Sequence, residues 1–173
     1  MYNLNVTKIA SQLKKEKYLA WQLKDGTHYI TNKYYALVLK ALDPKLLTAL
    51  LVYFDGQQPS EGNTIHRRKK QDVLDNGPDI SKVCKMPDKP IAGRFTPFQF
   101  KQDKDVLQIV KFVNGKLVCI NTIYAAMVDN TVQILTTDSD HLVNPLWLGN
   151  SFMVMPFRLS VDSLEEEIER LLK

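Results

Sequence analysis

Short apolar segments that end at turn-forming dipeptides are the feature that most restricts the fold of this chain. Asp25-Gly26, Asn114-Gly115 and Gly149-Asn150 each separate two apolar stretches. These dipeptides tolerate the positive φ angles that tight hairpins require. The sequence therefore predicts antiparallel β-hairpins in both halves of the chain.

Seven segments fit strands by this criterion. They are residues 18–23, 28–31, 106–113, 116–120, 132–136, 142–148 and 151–159, with a turn around residues 138–140 between the fifth and the sixth. Residues 33–42 fit either a buried strand or a helix that ends before Asp43-Pro44, and periodicity does not decide between them. Residues 46–54 are strongly apolar, so we expect them to be buried.

Three helices are predicted from their capping residues. Asn5 precedes apolar residues at helical spacing, and Asn121 precedes a short helix over residues 122–128. Ser163 and Glu166 form a capping box in the segment 160–173, which is predicted to be an amphipathic helix with an acidic outer face. The apolar positions of the first helix are Val6, Ile9, Ala10 and Leu13.

The two halves of the chain share an order of elements. Each half reads as strand, helix, strand, strand, although matching residues are few, essentially Asn5 with Asn121 and Ala10 with Ala126. A chance similarity of pattern is the alternative. Two such units predict an α+β fold, with two helices on one face of a continuous antiparallel sheet.

Residues 55–104 differ from the rest of the chain in their density of glycine and proline. This density predicts a loop-rich insertion, after which regular structure resumes at Val106. The insertion carries a basic run from His66 to Lys70, which is either a phosphate contact or a solvated loop. We expect residues 1–159 to form a single domain that includes this insertion.

The composition is that of a globular protein, and it limits the kinds of partner and the location that can be expected. The chain has 173 residues, 45% of them hydrophobic, and a net charge of +4. Because acidic residues concentrate in the last fourteen positions, the remaining body is more basic, which permits a polyanion such as nucleic acid as a partner. A signal peptide and a run of about 18 apolar residues are both lacking, which predicts a cytoplasmic protein without a membrane span.

The residues that usually carry catalysis or bind metal do not form a known motif. His28, His66 and His141 stand outside the hydrolase, metalloprotease and nucleotide-binding patterns. Cys84 and Cys119 have no metal-ligand spacing, so we expect free thiols, with no metal and no cofactor. Acidic residues beside His141 suggest a turn more than a metal site. The sequence predicts a protein that is not an enzyme.

One stretch resembles a known family. Met153-Val-Met-Pro-Phe-Arg-Leu159 is similar to the final strand of the bacterial DNA sliding clamps, the β subunit of DNA polymerase III, which reads close to V-V-M-P-M-R-L. Residues 132–139 look like the strand and turn that follow the second helix of that domain. The resemblance covers about residues 1–42 and 112–159, so that residues 45–110 would be largely an insertion.

The resemblance implies a DNA-tracking, replication-associated platform that binds partner peptides. In that family, helices line a ring around duplex DNA and contact it without reading its sequence. A homo-oligomer is therefore implied, together with basic helix residues. The second predicted helix carries none, so the DNA contacts fall on the first helix and the basic run. The implied DNA-binding residues are Lys8, Lys14, Lys15, Arg67, Arg68, Lys69 and Lys70.

The same resemblance implies a pocket for short linear peptides of replication proteins, to which the final strand contributes. The family builds this pocket between two neighbouring domains, whereas this chain is expected to contain one. The implied peptide-binding residues are Met153, Met155, Pro156, Phe157 and Arg158. Methionines suit such a pocket because their side chains repack around different ligands.

Two other functions stay open. The chain is either a protein-interaction adaptor, encoded for example by a phage, that has the clamp-like fold without encircling DNA, or a direct nucleic-acid binder that uses the basic run and Arg94. The segment 160–173 has three alternatives of its own. It covers the peptide pocket, mediates oligomerisation or covers an edge of the sheet.

Overall fold

The computed structural model describes residues 4–137 and 144–157. In chain order, the elements are α1 (Val6–Leu13), β1 (Tyr18–Lys24), β2 (Thr27–Thr31), β3 (Tyr35–Leu39), α2 (Pro44–Tyr53), β4 (Thr64–Arg68), a 3-10 turn (Ile80–Lys82), β5 (Pro90–Gln102), β6 (Asp105–Phe112), β7 (Leu117–Asn121), α3 (Thr122–Ala125), β8 (Ile134–Thr137), β9 (Leu146–Leu148) and β10 (Phe152–Val154). The predicted turn at 138–140 falls outside the described residues. So does the predicted helix over 160–173.

The ten described strands form one antiparallel sheet, which confirms the predicted α+β class. The strand order is β4-β1-β2-β3-β10-β9-β8-β5-β6-β7. Strand β3 pairs with β2 on one side and with β10 on the other, so that it joins the two halves of the sheet. This central position decides the ambiguous segment 33–42 in favour of a strand.

One face of the sheet carries the main core. Alternate strand residues such as Trp21, Leu37 and Phe152 pack in a single apolar cluster with residues of α1, α2 and the segment around α3. Asn5 caps α1 by accepting a hydrogen bond from the Lys8 N–H, as its position in the sequence predicts. Helix α2 accounts for the apolar segment 46–54.

The start of the first half contacts the segment that follows the helix of the second half. Leu4 forms a β-bridge with Val128, and the Asn5 N–H donates to the carbonyl of Met127 over 2.7 Å. Asn121 caps α3, which ends at Ala125 and is therefore shorter than the predicted helix over 122–128. The two predicted helical units thus meet at one place on the sheet.

Two strands lie inside the segment that was predicted to be a loop-rich insertion. Strand β4 pairs with β1, and β5 is the longest strand of the described chain, between β8 and β6. The prediction that regular structure resumes only at Val106 is therefore wrong. Pro90 begins β5 and Pro97 lies at its bulge, two positions where a missing N–H is tolerated. The prolines made the segment look like a loop in the sequence, but their positions are compatible with a strand.

The opposite face of the sheet carries a smaller cluster, which the segment around the 3-10 turn covers. Ile80 and Cys84 pack there against Trp147 and Met153. Asp79 fixes this segment to β1, because its carboxylate accepts hydrogen bonds from Gln22 and Lys24. Within the described ranges, no helix is long and apolar enough to cross a membrane.

Candidate functional site

A tight turn before β3 forms one wall of a groove at the predicted peptide-binding strand. The side chain of Asn32 accepts hydrogen bonds from the N–H groups of Tyr34 and Tyr35, at 2.9 and 3.0 Å. Lys33 adopts a φ of 83° within this turn. The turn leaves the Tyr34 side chain 64% exposed, which is unusual for so large a ring.

The segment that follows β10 lies along this turn. The N–H of Met155 donates to the carbonyl of Tyr34 over 2.8 Å, and the N–H of Phe157 donates to the carbonyl of Cys119 over 2.7 Å. These two bonds hold residues 155–157 between the turn before β3 and strand β7. These backbone bonds therefore fix the positions of the Met155 and Phe157 side chains.

The opposite wall begins at the cap of α3. The side chain of Asn121 accepts from the Ile123 N–H at 2.9 Å and donates to the Asp105 carboxylate at 2.8 Å. The resulting cavity of about 760 Å³, hereafter the Met155 groove, is lined by Lys33, Tyr34, Lys104, Asp105, Asn121, Tyr124, Met155, Pro156 and Phe157.

The Met155 groove combines an apolar floor with a rim of both charge signs. Burial raises the pKa of Tyr124, an effect that its hydrogen bond with Asn32 partly offsets, so the phenol stays protonated at neutral pH. The Lys33 ammonium lies 4.6 Å from the ring centroid of Tyr18, a cation–π contact. The rim otherwise carries Lys104 and Asp105. Such a groove can hold apolar side chains and hydrogen-bond a backbone.

Three of the five residues implied by the resemblance line this groove, namely Met155, Pro156 and Phe157. Met153 does not, because β10 continues to Val154 and buries the Met153 side chain against Trp147 on the opposite face, where it is 7% exposed. Arg158 falls outside the described residues. Sequence reasoning missed Tyr34, Tyr124 and Lys104, which carry no motif and reach the groove only through the pairing of distant strands.

The basic residues that the resemblance implies are divided among several places. A second cavity of about 350 Å³, hereafter the basic groove, brings Lys14 of the α1 end together with residues of the predicted insertion. It is lined by Lys14, Ala49, Val52, Tyr53, Arg67, Lys69 and Lys70. Lys8 instead lines a third cavity, of about 720 Å³, with Thr96 and Asn130. Lys15 and Arg68 are exposed and line none of these three cavities.

Arg67 has a structural role within the basic groove. Its guanidinium pairs with Asp55 at 2.7 Å and donates to the carbonyls of Gln71, at 2.6 Å, and Tyr53. These bonds use Nε and Nη1 of Arg67, so its guanidinium is held within the chain and keeps only part of its donors for another ligand. Among the described residues, no ion pair involves Lys14, Lys69 or Lys70, the lysines of this groove.

The described ranges 4–137 and 144–157 contain no group of three or more potential metal ligands. Cys84 and Cys119 are buried free thiols in separate clusters. Burial raises their pKa values to about 11 and about 12, so both thiols stay protonated at neutral pH.

Comparisons of the chain with protein-family models, with curated proteins and with solved structures found no match. The likeness to the sliding clamps therefore rests on the sequence residues quoted above. The ligands of the two grooves have to be argued from their own side chains.

Proposed function

We propose that this chain is a non-enzymatic binding module of clamp-like architecture, which captures short linear segments of partner proteins in the Met155 groove. The observation that carries the proposal is the convergence of Met155, Pro156 and Phe157 with Tyr34 and Tyr124 around one cavity. The first three residues come from the predicted peptide-binding strand. The two tyrosines come from distant parts of the chain.

The chemistry of the groove suits a peptide. Aromatic rings offer large contact areas at a low cost in side-chain entropy, and a methionine adapts its shape to different apolar partners. The Asn121 amide and the tyrosine hydroxyls supply hydrogen-bonding groups beside the apolar floor. Because Lys33, Lys104 and Asp105 give the rim both signs, we expect recognition to depend on apolar anchor residues and not on the net charge of the peptide.

Peptide display tests this proposal. Short random peptides selected on the wild-type protein should be enriched in aromatic or aliphatic anchors. Their affinity should fall at least about tenfold in Tyr34→Ala and in Met155→Ala, as expected when a central anchor pocket is truncated. Val83→Ala is the matched control, because Val83 is 67% exposed on the 3-10 segment. Equal binding to all four proteins would exclude the groove as the site.

Duplex DNA, the other ligand that the resemblance implies, has less support. Lys8 and Lys14 line different cavities, and the guanidinium of Arg67 is bound within the chain. Light scattering with a closed circular duplex tests this part. A ring-sized oligomer that stays on the circle and leaves after linearisation would establish a DNA-tracking clamp. A protein indifferent to DNA would leave the adaptor function, with the peptide proposal unaffected.

A further inference from the structure

The basic groove differs from the Met155 groove in that its rim carries cations and its floor is aliphatic. Helix α2 contributes Val52, whose side chain is 65% exposed, and Ala49 on the adjoining turn of the helix. The lysines stand around this floor. Their methylene stems extend its apolar surface, while their ammonium groups stay in water.

The rim is held in place by the backbone. The Lys69 N–H donates to the carbonyl of Lys17 over 2.8 Å, which ties the turn after β4 to the start of β1. Lys70 follows with a φ of 67°. The Nε–H of Arg67 donates to the carbonyl of Gln71, on the far side of the two lysines, and so also holds this turn. The cations of this turn therefore face a fixed point on α2 and do not belong to a free loop.

The charge of the rim is uncompensated in the part of the chain that the structure describes. Of the ion pairs there, the one at this groove joins Arg67 to Asp55, and none involves Lys14, Lys69 or Lys70. Three ammonium groups around an exposed aliphatic side chain repel one another, and a ligand with negative charges relieves this repulsion.

We infer that the basic groove is a second docking site, which takes an acidic linear segment of a partner protein with an aliphatic side chain seated on Val52. Carboxylates next to that side chain would pair with Lys14, Lys69 and Lys70. This arrangement steers the encounter electrostatically and gains its affinity from the apolar contact. The inference uses a groove separate from the proposed peptide site, so either proposal can fail without the other.

The same observations disfavour nucleic acid as the occupant. Binding to single strands relies on exposed aromatic faces on which bases stack. The aromatic residue of this groove, Tyr53, is 7% exposed and its hydroxyl donates to the carbonyl of Arg67 over 3.2 Å. An aliphatic floor beneath the cations also gives a phosphate backbone no donor to contact. An acidic peptide uses both the floor and the rim.

The test uses a fluorescein-labelled peptide of alternating glutamate and leucine, the same peptide with lysine in place of glutamate, and a labelled single-stranded oligonucleotide. The measurements are made in Tyr34→Ala, which weakens the Met155 groove as a site for the leucines of either peptide. In this background we expect the glutamate peptide to bind, with weaker binding at higher salt, and the lysine peptide to bind far more weakly. The affinity of the glutamate peptide should fall at least about tenfold when Val52→Asp or the double change Lys69→Glu/Lys70→Glu is added. Circular dichroism checks that each variant is folded.

Matched controls come from another exposed segment. Val83→Asp and Lys85→Glu/Lys89→Glu make the same chemical changes at exposed residues around the 3-10 turn. Added to Tyr34→Ala, these two changes should leave the binding of the glutamate peptide unchanged. Oligonucleotide binding that needs the two lysines and ignores Val52→Asp would overturn the inference in favour of nucleic acid. Glutamate-peptide binding that is absent, or unchanged in every variant, would overturn it as well.

Discussion

The indole nitrogen of Trp21 donates a hydrogen bond of 3.2 Å to Nδ1 of His28 across the first hairpin. The two side chains occupy diagonal positions on β1 and β2, where Leu23 lies directly opposite His28. Trp21 is completely buried. Nδ1 of His28 must therefore be unprotonated in the folded protein, because it accepts the bond.

This bond predicts a loss of stability in mild acid. Burial lowers the pKa of His28 below its ordinary value of 6.5, against an opposing effect of Glu61. A histidine whose folded-state pKa is lowered disfavours folding once the unfolded chain takes up the proton. The free energy of unfolding should fall as the pH drops below about 6.5 and level off below the folded-state pKa. His28→Gln should remove this part of the pH dependence.

The indole N–H resonances provide the readout. The Trp21 signal should shift with pH as its acceptor is protonated. Trp147 is the internal control, because its indole N–H donates to the backbone carbonyl of Lys85 over 3.1 Å, and that acceptor does not titrate. A Trp21 signal that follows Trp147 through the acid range would contradict the prediction.

Met153 and Met155 should respond to truncation in opposite ways, although both belong to the predicted peptide-binding strand. Met153 is buried, so Met153→Ala should lower the free energy of unfolding by about 2–5 kcal/mol. Met155 is half-buried at the groove, so Met155→Ala should cost much less stability and reduce peptide binding. Urea denaturation and peptide titration of both variants measure this contrast. A loss of peptide affinity in Met153→Ala, at conditions where that variant is folded, would bring Met153 back into the site.

The different positions of these two methionines, one buried and one at the groove, show what the sequence alone could predict. Local signals were sufficient for the caps at Asn5 and Asn121 and for the hairpin at Asp25-Gly26, because each depends on a few adjacent residues. The segment 33–42 and strand β5 were not decided locally. Residues of the segment 33–42 pair with β10, and β5 pairs with β8, and both of these partners are distant in the sequence.

The grooves were harder to predict than the strands. Alternation along residues 151–159 placed Met153 and Met155 on the same face, but β10 ends at Val154, and the chain then turns toward β7. The lysines of the basic groove were identified as basic residues. These lysines lie close together because α1 packs against α2 and β4 pairs with β1. No sequence motif indicates either contact.

Gly93 should be intolerant of any side chain, because the ring of Phe112 covers it across the β5–β6 pair. A Cβ atom at position 93 would lie 2.7 Å from that ring and 3.2 Å from the Lys111 carbonyl. We expect Gly93→Ala to destabilise the protein by about 1–3 kcal/mol through overpacking. Chemical denaturation measures the effect.

A double-mutant cycle identifies the cause of that loss. In the background of Phe112→Leu, which removes the ring, Gly93→Ala should cost clearly less than in the wild type. The same cost in both backgrounds would assign the loss to the Lys111 backbone or to the strand itself, and not to the aromatic ring.

Arg67 should stabilise the fold more than any lysine of the basic groove. Its guanidinium bonds join the end of α2, at Tyr53, to the turn after β4, at Gln71, and its side chain is only 16% exposed. Arg67→Ala should lower the free energy of unfolding by about 1.5–3 kcal/mol, the range for hydrogen bonds to a charged group. Lys69→Ala and Lys70→Ala should change it by less than about 0.5 kcal/mol, since both residues are exposed.

Two further variants separate the contributions of the arginine. Asp55→Asn removes an ion pair whose acidic partner is 62% exposed, so it should cost far less than Arg67→Ala. Arg67→Lys should lose most of the stability, because a lysine cannot reproduce the planar fork that reaches two carbonyls. If Asp55→Asn proved as costly as Arg67→Ala in urea denaturation, the exposed ion pair, and not the bonds to the Tyr53 and Gln71 carbonyls, would be what holds α2 to β4.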